Sequence, residues 1–148
     1  MDSAKGLEKV QAGSLVKGNY VMIGDKPCRV ISTSKAKPGK HGSAKAIIVA
    51  VGILDDKKVE KSFGTSDLID APILKRTEYP LLNVDEEFLE LQMESGDVRS
   101  DIKFSEQESL KEVNDNIMKY FESETPCLVT ILSVCGIEVP CAVREDSS

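Results

Sequence analysis

The longest apolar run in this chain, Ala46–Leu54, is closed by Lys45 on one side and by Asp55-Asp56-Lys57-Lys58 on the other. Every other apolar stretch is shorter. A bilayer-spanning helix needs about 18–20 apolar residues, so none is available here. Short runs rich in Val and Ile between turn residues point to strands, and the chain reads as mainly β. With 148 residues and 41% hydrophobic content it can fill one moderate core or two small ones.

The segment Asn19–Ile23, the turn Gly24-Asp25-Lys26-Pro27 and Cys28–Ile31 read as a hairpin. Ala46–Ile53 and Val59–Phe63 add strands, so the first half is expected to hold four or five strands in a small barrel. The stretch Ala71-Pro72-Ile73-Leu74-Lys75-Arg76 marks a boundary, giving expected domains at residues 1–74 and 75–148. Beyond it, Tyr79–Val84, Phe88–Met93 and Val98–Phe104 read as strands, and Cys127–Val134 with Ile137–Val143 as a closing hairpin. Between them Leu110, Val113, Ile117 and Phe121 recur at helical spacing, behind a Ser105/Glu108 capping box and ahead of Pro126. Three strands, a helix and two strands match an OB-like barrel. Residues 1–12 and Glu145–Ser148 read as frayed tails.

Charge is divided between the halves. Residues 1–76 carry 14 lysines and arginines against 8 acids, while residues 77–148 carry 5 against 17. No acidic side chain lies between Lys26 and Leu54, where Arg29, Lys35, Lys37, Lys40 and Lys45 are all cationic. A polarised chain of this kind fits a strongly charged partner met by the first half alone. The acidic second barrel would repel phosphates, so it reads as a spacer or protein-docking domain.

The window centres on Ser34–Lys45, expected to be a hairpin loop. Pro38-Gly39 supplies a tight turn and Gly42 a second excursion, leaving Lys40-His41 at a slim apex flanked by lysines that can meet phosphates. A phosphate-binding loop would need G-x-x-x-x-G-K-[ST] opening a helix. Here Ser34 occupies the first glycine position, His41 follows Lys40, and a strand comes next. His41 has no nearby acid to orient it, so catalysis is not expected and no paired acid–base groups are found. One histidine, and four cysteines without C-x-x-C spacing, give no metal site. Cys28 and Cys127, inside apolar runs, read as buried reduced thiols of a cytosolic protein, and no secretory signal core precedes them. From the residues alone, a basic probe entering an RNA-rich pocket and a generic RNA-binding module on the basic first barrel both remain open.

The string Lys37-Pro38-Gly39-Lys40-His41-Gly42-Ser43-Ala44-Lys45 resembles the modification loop of the translation initiation factor 5A family of eukaryotes and archaea, relatives of bacterial elongation factor P. The likeness continues through Gly18–Ile23, Pro27–Val30, Gly52-Ile53 to Lys75-Arg76, and Ser95-Gly96-Asp97-Val98-Arg99. It implies an N-terminal SH3-like barrel followed by an OB-fold with one helix. It also implies that Lys40 becomes hypusine, or stops at deoxyhypusine, by aminobutyl transfer from spermidine and then hydroxylation. Deoxyhypusine synthase and deoxyhypusine hydroxylase would be the modifying partners. The other implied partners are the ribosome near its E site, rRNA and peptidyl-tRNA, in relief of polyproline and other stalls and in termination, with no membrane. Lys37, Gly39, His41, Gly42 and Lys45 match positions that support ribosome, tRNA or modifying-enzyme contacts. Most eukaryotic members carry histidine where Ser43 stands, and there the loop is closer to archaeal versions.

Overall fold

The structure is a computed structural model and describes residues 6–36 and 44–147. It divides into two units, Met1–Ile73 and Leu74–Ser148. Both are mainly β, and each has its own core.

The first unit holds β1 (Leu7–Gln11), a 3-10 turn (Ala12–Ser14), β2 (Tyr20–Ile23), β3 (Lys26–Ala36), β4 (Lys45–Gly52), β5 (Lys58–Gly64) and β6 (Leu68–Pro72). β2-β3-β4-β5 form one antiparallel sheet and β1-β6 a two-stranded ribbon. β4 shows why the fold closes: Ala46, Ile48 and Ala50 point inward at every second position, while Lys45, Ile47, Val49 and Val51 face outward. Val21, Cys28, Val30 and the three inward β4 residues make the buried core, with Ala12 and Leu15 capping it from the 3-10 turn side. This is the small SH3-like β unit expected from the strand pattern.

The second unit runs β7 (Lys75–Asp85), β8 (Phe88–Gln92), β9 (Val98–Lys103), α1 (Lys111–Glu122), β10 (Cys127–Val134) and β11 (Ile137–Glu145). Its sheet order is β11-β10-β7-β8-β9, the five-stranded arrangement of an OB-fold with a helix between the third and fourth strands. Leu89, Leu91, Ile102, Ile117, Cys127, Val129 and Ile131 form the core. The β10–β11 turn is a two-residue link in which Cys135 (φ 51°) and Gly136 (φ 77°) both take left-handed backbone, as the twist of a tight hairpin demands.

Several expectations are corrected. Residues 7–11 are not a frayed tail: β1 pairs along its length with β6, so the unit has six strands rather than four or five. Glu145 is likewise paired, with Cys127, and the Asp146 N–H donates to the Pro126 carbonyl at 2.9 Å. The first hairpin turns on Gly24-Asp25 alone, because Ile23 pairs with Lys26 and Pro27 sits inside β3. The capping box does not form: Ser105 Oγ accepts from the Gln107 N–H at 3.1 Å, and a 3-10 turn at Glu108–Leu110 precedes a helix that starts only at Lys111. The end of that helix at Glu122, ahead of Pro126, is as expected, whereas its core-facing residues are Val113, Ile117 and Tyr120, without Leu110 and Phe121. Among the described residues, no helix is long and apolar enough to cross a membrane.

Candidate functional site: a basic hairpin of the first unit

The two arms of the β3–β4 hairpin carry the segment that the sequence singles out. Their register runs Ser32↔Val49, Thr33↔Ile48, Ser34↔Ile47, Lys35↔Ala46 and Ala36↔Lys45, after an irregularity at Ile31. Ser34, Lys35, Ala36 and Lys45, expected within the loop, are therefore strand residues, and the connection is shorter than the sequence implied. β2 pairs only with the first part of β3, as far as Arg29, with two further bonds at Val30. Beyond that point β3 is an edge, and Ser32–Ala36 are all exposed. This outer half of β3 is an exposed edge laid along β4, whose Ala46 and Ile48 at the same level are buried in the core and whose other side is paired with β5.

Of the candidate residues, Lys45 opens β4 and is exposed. Lys37, Gly39, Lys40, His41 and Gly42 lie outside the described residues. Lys35 and Lys45 make no ion pair among the described residues, so both charges face solvent. Cross-strand register places Tyr20, Arg29, Val51 and Lys58 in one row on the outward face of the same sheet. Arg29 and Lys58 are exposed and also lack an ion pair among the described residues. Lys58 was not foreseen as part of this surface; only the register of β4 with β5 brings it onto the row of Arg29, with Val51 between them.

Cations of the second unit are treated differently. Arg99 Nη2 and Nη1 reach the Glu138 carboxylate at 2.8 and 3.1 Å, its Nε and Nη2 reach Asp101 at 2.9 and 2.8 Å, and Nη1 donates to the Tyr79 hydroxyl at 3.3 Å. Arg144 is bidentate to Glu78, and Lys103 lies 3.5 Å from Glu87. The Arg99 guanidinium lowers the Asp101 carboxyl below its ordinary range, and Arg144 does the same to Glu78. Arg99, Lys103 and Arg144 are thus paired with carboxylates of the same unit, on a surface that remains strongly acidic, as Lys9 and Lys26 are paired in the first unit away from the hairpin loop.

Among the described residues no group of three His, Cys, Asp or Glu could hold a metal. Cys28 and Cys127 are buried free thiols, as expected, and burial raises both above the ordinary thiol value. A groove of the second unit, about 580 Å³, is lined by Glu78, Tyr79, Met93 and Glu94 among others, and its Glu78 is already tied to Arg144.

A β unit whose β3–β4 hairpin is basic and exposed along β3, joined in sequence to an acidic OB-fold, is matched by models of a translation-factor class. The chain belongs to the translation initiation factor 5A family. Residues 7–67 match the family model described as "Translation initiation factor 5A-like, N-terminal", and residues 73–144 match "Eukaryotic elongation factor 5A hypusine, DNA-binding OB fold". Eukaryotic translation initiation factor 5A-1 of Saccharomyces cerevisiae is 35% identical over 92% of this chain and 84% of its own length. Eukaryotic translation initiation factor 5A-3 of Solanum tuberosum is 36% identical over 91% and 83%. Among solved structures, an initiation factor 5A family protein from Naegleria fowleri superposes with a TM-score of 0.85 at 34% identity, covering 93% of this chain and 98% of that one. The Methanococcus jannaschii factor gives 0.72 at 27% identity, covering 95% and 97%. The family is one of hypusine-bearing translation factors.

Proposed function

We propose that this protein binds the ribosome near its E site and extends a modified Lys40 toward peptidyl-tRNA, promoting peptide-bond formation at polyproline and other stalls, as well as termination. The observation that supports this is the β3–β4 hairpin: the outer half of β3 is exposed, the hairpin is free of acids, Lys35 and Lys45 are unpaired among the described residues, and in sequence it leads to Lys40. Aminobutyl transfer from spermidine by deoxyhypusine synthase would lengthen that lysine and add a second amine, and hydroxylation by deoxyhypusine hydroxylase would complete hypusine. Lys37, Gly39, His41, Gly42 and Lys45 would serve contacts with rRNA, tRNA or the modifying enzymes. The protein itself performs no covalent chemistry. It holds the tRNA in a productive geometry while the ribosome carries out the reaction. Its place of action is the cytoplasm.

A generic RNA-binding module is favoured by one observation, the outward row of Arg29 and Lys58. Such a module would bind short RNA with a steep salt dependence whatever the state of Lys40. The test is a translation assay on a proline-rich reporter with wild type and Lys40→Arg. The variant is expected to keep its fold, since it retains the charge and adds nothing to either core, and to lose stall relief. Full activity of Lys40→Arg would refute the proposal and leave the generic module standing.

A further inference from the structure

The hairpin loop is held at one foot by a turn from outside the hairpin. At its C-terminal foot the Ala44 carbonyl accepts the Thr65 N–H at 3.1 Å, just beyond the last β4–β5 pair, Lys45↔Gly64. The Thr65 carbonyl in turn accepts the Gly13 N–H at 2.9 Å, and the Ala12 N–H donates to the Asp67 carbonyl at 3.0 Å. Ala12 is 1% exposed and belongs to the core, so these bonds run from the core to the loop's foot through two links. The turn is also closed on itself. The Asp67 carboxylate accepts the Gly64 N–H at 2.8 Å, and the Asp67 N–H donates to the Gly64 carbonyl at 3.0 Å.

Gly13 has to be glycine for this to work. A Cβ there would lie 2.8 Å from the Thr65 carbonyl oxygen and 3.0 Å from the Thr65 Cβ, neither of which can swing aside as a flexible side-chain end would. The other foot, Ala36, ends the exposed edge half of β3 and has only its β4 partner. One foot is fixed to the barrel core and the other is carried by the hairpin.

We infer that Gly13, Thr65 and Asp67 form a positioning clamp that sets how the β3–β4 loop leaves the barrel, and so how well Lys40 is presented to the enzyme that modifies it. The inference rests on the proposed modification of Lys40. Loosening the clamp lowers the fraction of molecules with a competent loop, which raises apparent KM in proportion and leaves kcat nearly unchanged.

The experiment uses the full chain, deoxyhypusine synthase and labelled spermidine, comparing wild type with Gly13→Ala, Asp67→Ala and Ile23→Ala. KM is expected to rise about five- to tenfold for Gly13→Ala and about threefold for Asp67→Ala, with kcat within about twofold of wild type. Asp67 is exposed, so its variant keeps the fold even if Gly13→Ala does not. Ile23→Ala removes core packing at the far end of the β2–β3 hairpin and is expected to destabilise without moving KM. Amide exchange at Thr65 should quicken in both clamp variants, a readout independent of the transferase. Unlabelled wild type would refute the modification of Lys40 itself. Labelled wild type with unchanged KM in Asp67→Ala, or an equal rise in Ile23→Ala, would overturn the clamp alone.

Discussion

Replacing Arg99 by alanine removes the tie between β9 and β11, the two edge strands of the OB-fold sheet. The guanidinium is 16% exposed and bonds both Asp101 and Glu138, which are 64% and 34% exposed. A charge-assisted bond contributes about 1.5–3 kcal/mol when shielded. Exposed ion pairs fall to about 0–1 kcal/mol. Glu138 lies between these limits and Asp101 at the lower one. The guanidinium also sits 5.6 Å from the Tyr79 ring centre, a contact of roughly 0.5–1 kcal/mol. Together these give a loss of about 2–3 kcal/mol for Arg99→Ala. Urea unfolding of the full chain at pH 7, followed by far-ultraviolet circular dichroism, measures it. A double-mutant cycle of Arg99→Ala with Glu138→Gln isolates the inter-strand pair, with an expected coupling near 1 kcal/mol. A total loss under about 0.5 kcal/mol, or no coupling, would refute the claim that Arg99 ties β9 to β11.

Two other outcomes follow from the same contacts. Ile48→Ala, at a fully buried position in the first unit, should cost about 2–5 kcal/mol in the same unfolding assay, and a loss below about 1 kcal/mol would contradict the core assignment. Asp101, Asp55 and Glu78 have folded-state values lowered by hydrogen bonds from Arg99, Lys26 and Arg144. Their contribution is therefore complete above the ordinary carboxylate range near pH 4 and is lost as pH falls through the lowered values. Unfolding midpoints measured from pH 7 to pH 2 should drop below about pH 4, and a flat profile there would refute the ion-pair assignments.

The parts of this fold that were readable in the sequence are those where one face is buried. β4 and β10 were readable as apolar runs rich in Ile, Val and Leu, although the alternation of burial along β4 is carried by the fold and not by the residue types, and the order of elements in the second unit followed from such runs. β1 was not readable because only Val10 of its five residues packs inward, and its pairing with β6 depends on residues far away in sequence. Ser105 and Glu108 have the spacing of a cap, but Ser105 bonds two residues ahead and a 3-10 turn takes up the expected first helical turn. At the candidate site, the acid-free window and its lysines were plain from composition. The row of Arg29 with Lys58 and the Gly13–Thr65–Ala44 chain were not, because both arise from register and backbone bonds that no local pattern encodes.

The central claim is that the cationic hairpin carries a lengthened lysine. Mass analysis of the Lys40-containing peptide, from protein taken from its own cells, tests it most directly. The account predicts a gain of about 71 Da for the aminobutyl group, or about 87 Da once hydroxylated, placed on Lys40 by fragmentation. An unmodified Lys40 in that native material would contradict it.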